Sequence, residues 1–239
     1  MGDLVFITGA SSGIGRALAR SVPFEASVVD ISRSGSPDPS IGHVAADLAD
    51  PGTWEKVGSE MTRLIETNDP DRAVFIHAAG TLHPIGFAGE VDSDDYASNV
   101  ILNSAAGQVL GHHFLKAVHD REGTFDLVMI SSGAATSVYP GWSSYGAGKA
   151  ALDHWARSVG AEQAERGGVR VAAIAPGVVA TDMQEEIRST PERDFPNVDR
   201  FHSLHEDGVL SEPEDAADRI WKVIERGVDP GAVVDVRDL

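Results

Sequence analysis

The sequence predicts an α/β fold: a doubly wound parallel sheet of about seven strands with helices on both faces. Three observations predict it. Apolar runs alternate with helical patterns along all 239 residues. Those runs are nearly continuous, as strands covered on both faces must be. The first of them passes directly into a glycine-rich turn and then a helix. Right-handed crossovers between such strands give one parallel sheet.

Each element follows in order. "DLVFIT" (3–8) is a short β-rich run, and "IGRALARSV" behind its glycines has helical spacing. "ASVVDIS" (26–32) is a second strand and "IGHVAADL" (41–48) contains a short third. Residues 52–66 space their apolar positions like an amphipathic helix. "RAVFIHAAG" (72–80) is a strand, 95–120 a long helix, and "FDLVMISSG" (125–133) another strand. A helix runs from Ser143 to Gly167, followed by the strand "VRVAAIAPG" (169–177). Residues 213–227 form a helix opened by proline, and "GAVVDV" (231–236) is the last strand. The polar stretch 182–212 breaks the alternation and is too long for a simple loop, which predicts a helical flap. With no internal repeat or linker, residues 1–239 read as one domain.

Composition excludes several functions. A net charge of −18 with a pI near 4.7 repels phosphate backbones, so no nucleic-acid partner is expected. No apolar run approaches the ~20 residues that span a membrane. Cysteine is absent, which removes disulfide and thiolate chemistry. "MGDLVFITGA" lacks a basic region leading into an apolar one, and Gly2 is followed by strand-like residues, so neither a secretory signal nor myristoylation is expected. A cytoplasmic location is the expectation. The nine histidines lack the spacing of a metal-binding helix, and no metal site is expected.

Chemistry concentrates in three stretches. "TGASSGIG" (8–15) lies between a strand and a helix, the context of a dinucleotide site. Its glycines Gly9, Gly13 and Gly15 let the backbone approach a pyrophosphate, and Ser11, Ser12 and Ile14 complete the turn at the helix N-terminus. At the end of the second strand, "VVDISRSG" offers Asp30 within the strand and Arg33 just past it. An arginine there would meet the 2′-phosphate of NADP(H) and a carboxylate the ribose of NAD(H). Arg33 has the better position, so NADP(H) is preferred and NAD(H) is possible. In "SSYGAGK" (143–149), Tyr145 and Lys149 share one helix face, and the adjacent ammonium is expected to lower the phenol's pKa.

Together these residues resemble the short-chain dehydrogenase/reductase family over essentially the whole chain, which implies a Rossmann-type domain. Asp47 and Leu48 resemble its adenine-contacting pair, and "HAAG" (77–80) stands where the family has Asn-Asn-Ala-Gly, placing Ala79 and Gly80 at the cofactor. The departure at His77 and Ala78 puts local bracing of the sheet in question. "YGAGK" resembles the family's Tyr-x-x-x-Lys, Ser132 precedes Tyr145 by the family's interval, and Asn103 sits at its helical asparagine. "PGVVAT" (176–181) resembles the nicotinamide loop, with Pro176, Gly177, Val179 and Thr181 against the cofactor. The resemblance implies that Tyr145 gives a proton to a carbonyl oxygen, which Ser132 holds. It implies that Lys149 holds the nicotinamide ribose and that Asn103 orders a relaying water.

"GWSSYGAGKAALD", "APGVVATDMQ" and "GAVVDV" further resemble the sepiapterin reductase and benzil reductase branch. This implies an NADPH-dependent carbonyl reductase of vicinal dicarbonyls, with Trp142 as an apolar wall and Asp235 in position to anchor a pterin. A homodimer or homotetramer associating through the helices at 95–120 and 143–166 is also implied. One alternative is an NAD-dependent alcohol dehydrogenase selected by Asp30. Another is a non-catalytic nucleotide sensor on the same fold, although such proteins typically lose the tyrosine or lysine present here.

Overall fold

The computed structural model describes residues 2–238. Seven strands form one sheet in the order β3-β2-β1-β4-β5-β6-β7, every pair parallel. They are β1 (Asp3–Thr8), β2 (Ala26–Ser32), β3 (Gly42–Ala45), β4 (Arg72–His77), β5 (Thr124–Ile130), β6 (Arg170–Ala175) and β7 (Ala232–Asp235). Between them run α1 (Gly13–Arg20), α2 (Trp54–Asn68), α3 (Ser93–Val100), α4 (Gly107–Ala117) and α5 (Ser143–Arg166). After β6 come α6 (Asp182–Ser189), α7 (Val198–Glu206) and α8 (Pro213–Arg226).

Side chains alternate across a strand, so one apolar run serves two cores. Leu4, Phe6, Phe75 and Leu127 face α2, α4 and α5, while Val5, Ile7, Val74 and Ile130 face α1 and α8. Both clusters are buried, which is why the strands read as continuous apolar runs. Strand order reverses between β1 and β4, and a ligand crevice is expected beyond the C-terminal ends of strands at such a point.

Two features at this switch point were not anticipated. Residues 95–120 are not one regular helix, because a π-helical turn, Ile101–Ala106, separates α3 from α4. The wide turn carries Asn103, and the side chains of Asn99 and Asn103 both bond the loop after β4. The second feature answers the question raised by "HAAG". The Thr8 hydroxyl accepts from the amides of Ala78 and Ala79, each at 3.0 Å. With both lone pairs used, its hydrogen goes to His77 Nδ1, also at 3.0 Å. His77 and Thr8 therefore brace the ends of β1 and β4.

The bond from Thr8 makes His77 the neutral Nε2–H tautomer, and burial pushes its pKa down to about 3. Unfolding exposes the ring, which then titrates near 6.5. As pH falls below that value the unfolded state takes up a proton that the folded state refuses. Stability should decline by about 1.4 kcal/mol per pH unit from this site, until pH reaches the folded value. Denaturant titrations of the parent and His77→Asn between pH 7 and pH 4 would show this as a steeper decline in the parent. Parallel curves would deny it.

Candidate active site

The turn after β1 is held by Asp30. Its carboxylate, wholly buried, accepts from the Ala10 amide at 2.9 Å and from the Ser32 hydroxyl at 2.8 Å. Burial raises its pKa, and those two hydrogen bonds oppose the shift. Gly9 adopts φ +74°, and a Cβ there would lie 3.0 Å from the Ala79 Cα. At Gly15 a Cβ would come within 2.3 Å of the Gly9 carbonyl oxygen. Only glycine lets the turn, α1 and the end of β4 approach this closely.

A groove of about 570 Å³ opens there. Gly9, Ser11, Ser12, Gly13, Ile14 and Gly15 line one part of it, with Arg33, Asp47 and Leu48 at another. Ala79, Gly80 and Thr181 also line it. Ser12 makes no side-chain cap to α1, and the first turn of that helix carries no acidic residue. Its free N–H groups and partial positive charge therefore fit a pyrophosphate. Arg33 is exposed and forms no ion pair among the described residues. The residues present thus fit an NAD(P) dinucleotide.

The groove meets a second cavity, of about 230 Å³, with Ile14, Gly80 and Thr181 lining both. Ser132, Trp142, Tyr145, Lys149, Pro176, Gly177 and Val179 line this second cavity. Ser132 follows β5, and its Oγ accepts from the Ala134 amide at 3.2 Å. Tyr145 and Lys149 project from the first turns of α5 and are 6% and 4% exposed. The spacing does bring them to one face, but the expected effect of the lysine on the phenol does not follow. Lys149 Nζ donates to the Ile130 carbonyl at 2.9 Å and lies 5.8 Å from the centre of the Tyr145 ring. Burial pushes the phenol's pKa up, and only the Ser132 hydroxyl opposes it. The same burial pulls the lysine down to about 8, with Asp153 opposing.

Asn103 lies behind this pair, fully buried. Its amide nitrogen donates to the Thr81 carbonyl at 2.7 Å and to Asn99 Oδ1 at 2.9 Å, while its oxygen accepts from the Thr81 amide at 3.1 Å. The side chain is thus committed to holding the 81–83 loop beside Gly80. Asn99, one helical turn earlier, shares the task. The four-residue interval between the two asparagines was the signal that could have found it.

Residues 182–212 form α6 and α7, and the segment returns to the 176–181 loop through the Ser211 amide bond to the Val178 carbonyl at 3.0 Å. Ile187, Phe195, Val198 and Phe201 pack on Trp142 and Tyr145 as a separate apolar cluster. Trp142 stacks on Phe195 at 4.5 Å and meets the Tyr145 ring edge-on at 5.6 Å. Trp142 is therefore a wall of the cavity. Asp235 is not. Its carboxylate accepts from the Arg237 backbone amide and from Nε, each at 2.9 Å, and from Nη2. The Arg237 side chain lines the cavity in its place. Sequence reasoning also missed Tyr139 and Arg200 in the lining.

The family model described as short chain dehydrogenase matches residues 3–192. Benzil reductase ((S)-benzoin forming) of Bacillus subtilis is 33% identical over 99% of each chain. Sepiapterin reductase of Mus musculus is 31% identical over 97% of this chain and 95% of its own. Among solved structures, the KRED1-Pglu enzyme superposes with a TM-score of 0.82 at 30% identity, covering 97% of this chain and all of its own. The seven-stranded parallel sheet agrees with these matches, and the chain belongs to the short chain dehydrogenase family, as an oxidoreductase.

Proposed function

We propose that the protein is an NADPH-dependent carbonyl reductase acting on vicinal dicarbonyls, with Ser132, Tyr145 and Lys149 catalytic. The observation that carries this is the junction of the two cavities: Ile14, Gly80 and Thr181 line both, and Tyr145 and Ser132 line the aromatic one that adjoins the dinucleotide groove. NADPH, when held by the glycine turn and Arg33, would provide the hydride that the substrate carbon accepts. Tyr145, kept protonated by burial, donates to the oxygen that becomes an alcohol. Ser132 hydrogen-bonds the same oxygen as charge develops on it. Lys149, still charged below about pH 8, would hold the nicotinamide ribose beside the phenol. Asn103 acts as a brace of the loop beside the groove.

NADPH is favoured because Asp30 is consumed within the turn while Arg33 is free in the groove. The names of the relatives, two of them benzil or sepiapterin reductases, support a dicarbonyl substrate. Association as a homodimer or homotetramer through the helices of 95–120 and 143–166 belongs to the same proposal. No helix among the described residues is long and apolar enough to cross a membrane. Arg33→Ala should weaken NADPH by roughly 1.5–3 kcal/mol, the worth of a hydrogen bond to a charged group, and leave NADH almost unchanged. Calorimetric titration of both cofactors reads this directly. Equal losses for the two would make Arg33 structural and remove the NADPH preference.

A further inference from the structure

The rim of the aromatic cavity is positively charged in a chain with 37 acidic and 19 basic residues. Three side chains from separate elements meet there: Tyr139 before α5, Arg200 on α7 and Arg237 beyond β7, all lining the cavity that holds Tyr145. Arg200 Nη1 donates to the Tyr139 hydroxyl at 3.2 Å, and its guanidinium lies 5.8 Å from the centre of that ring. With its oxygen accepting from Arg200, the Tyr139 hydroxyl keeps a hydrogen to donate. Arg237 is neutralised by Asp235. Among the described residues Arg200 has no carboxylate within salt-bridge distance, so its charge is the uncompensated one. Trp142 separates rim from phenol, its ring 5.0 Å from Tyr139 and 5.6 Å from Tyr145. A ligand reaching from the phenol to the rim therefore runs along an aromatic wall.

We propose that the cavity takes an aromatic ketone bearing a carboxylate at the end remote from the reacting carbonyl. Arg200 is its charged partner, with the Tyr139 hydroxyl as second donor. The overall negative field repels an anion, so a local guanidinium and hydroxyl are what admit one. This inference rests on the reductase reading and narrows its substrate class. Asp235, by holding Arg237, is a positioning residue at the same rim.

The test compares phenyl methyl diketone with its para-carboxylate as substrates with NADPH, together with calorimetric binding of acetophenone and para-acetylbenzoate to the cofactor-loaded protein. The carboxylated diketone should show a KM about tenfold lower at low salt. High salt should shrink that ratio. Arg200→Gln should bring the ratio close to one, while Arg193→Gln, an exposed arginine of the same segment paired with Asp194, should preserve it. If neither diketone is reduced, the dicarbonyl reading falls, and calorimetry alone decides the rim. Tighter para-acetylbenzoate binding, lost in Arg200→Gln, would uphold it. Equal KM and equal binding for each pair, or a preference that survives Arg200→Gln, would overturn the proposal.

Discussion

Replacing Tyr145 by phenylalanine should lower the rate of carbonyl reduction by about 10²-fold or more, the weight of a positioned acid. The substitution removes one hydroxyl and keeps the ring. Its edge-on contact with Trp142 and its place in the cluster with Phe195 and Phe201 remain, so the fold should hold. The groove is lined by other residues, so NADPH binding should also survive. The loss should appear in kcat, since the proton is transferred only as the reaction proceeds. Steady-state kinetics with thermal unfolding of the same sample separates chemistry from folding. A rate within a few-fold of the parent, at unchanged stability, would remove Tyr145 from the proton-donor role.

The second large effect concerns folding. Thr8→Val keeps the shape of a fully buried side chain and deletes an oxygen that serves three partners. The amides of Ala78 and Ala79 and the Nδ1 atom of His77 would lose their partner together. The fully buried His77 ring left unpaired costs about 1–3 kcal/mol, and the two half-buried amides add a smaller share, so a loss of about 2–3 kcal/mol is expected. Thr8→Ser, which restores the hydroxyl, should recover most of it. Denaturant unfolding should show a lower midpoint with an unchanged slope for Thr8→Val. A loss under about 1 kcal/mol would mean that these groups find other partners.

The sheet and the helices flanking it were legible because burial imposes a period. Val5 and Phe6 face opposite layers, and the continuous apolar run records both. The glycine turn was legible because its geometry admits few residues. The flap was legible as an interruption, and it proved to hold two helices packed on Trp142 and Tyr145. Partner identity left no such trace. Thr8 bonds groups some seventy positions away, and nothing near "DLVFIT" reports them. The π turn at Ile101–Ala106 shifts the helical register without changing the apolar spacing enough to reveal it. The effect of Lys149 on Tyr145 was misjudged because sequence spacing places two side chains on one face without showing where the ammonium points. It points to Ile130. Asp235 was misjudged for a similar reason, since Arg237, two residues on, reaches back to it.

Initial rates of NADPH oxidation with benzil, sepiapterin and simple monoketones, repeated with NADH, test the proposed reduction of vicinal dicarbonyls. A vicinal dicarbonyl should turn over with NADPH, markedly more slowly with NADH, and monoketones should react little. Oxidation of NADPH by monoketones or sugars while every dicarbonyl stays intact would remove the dicarbonyl reading.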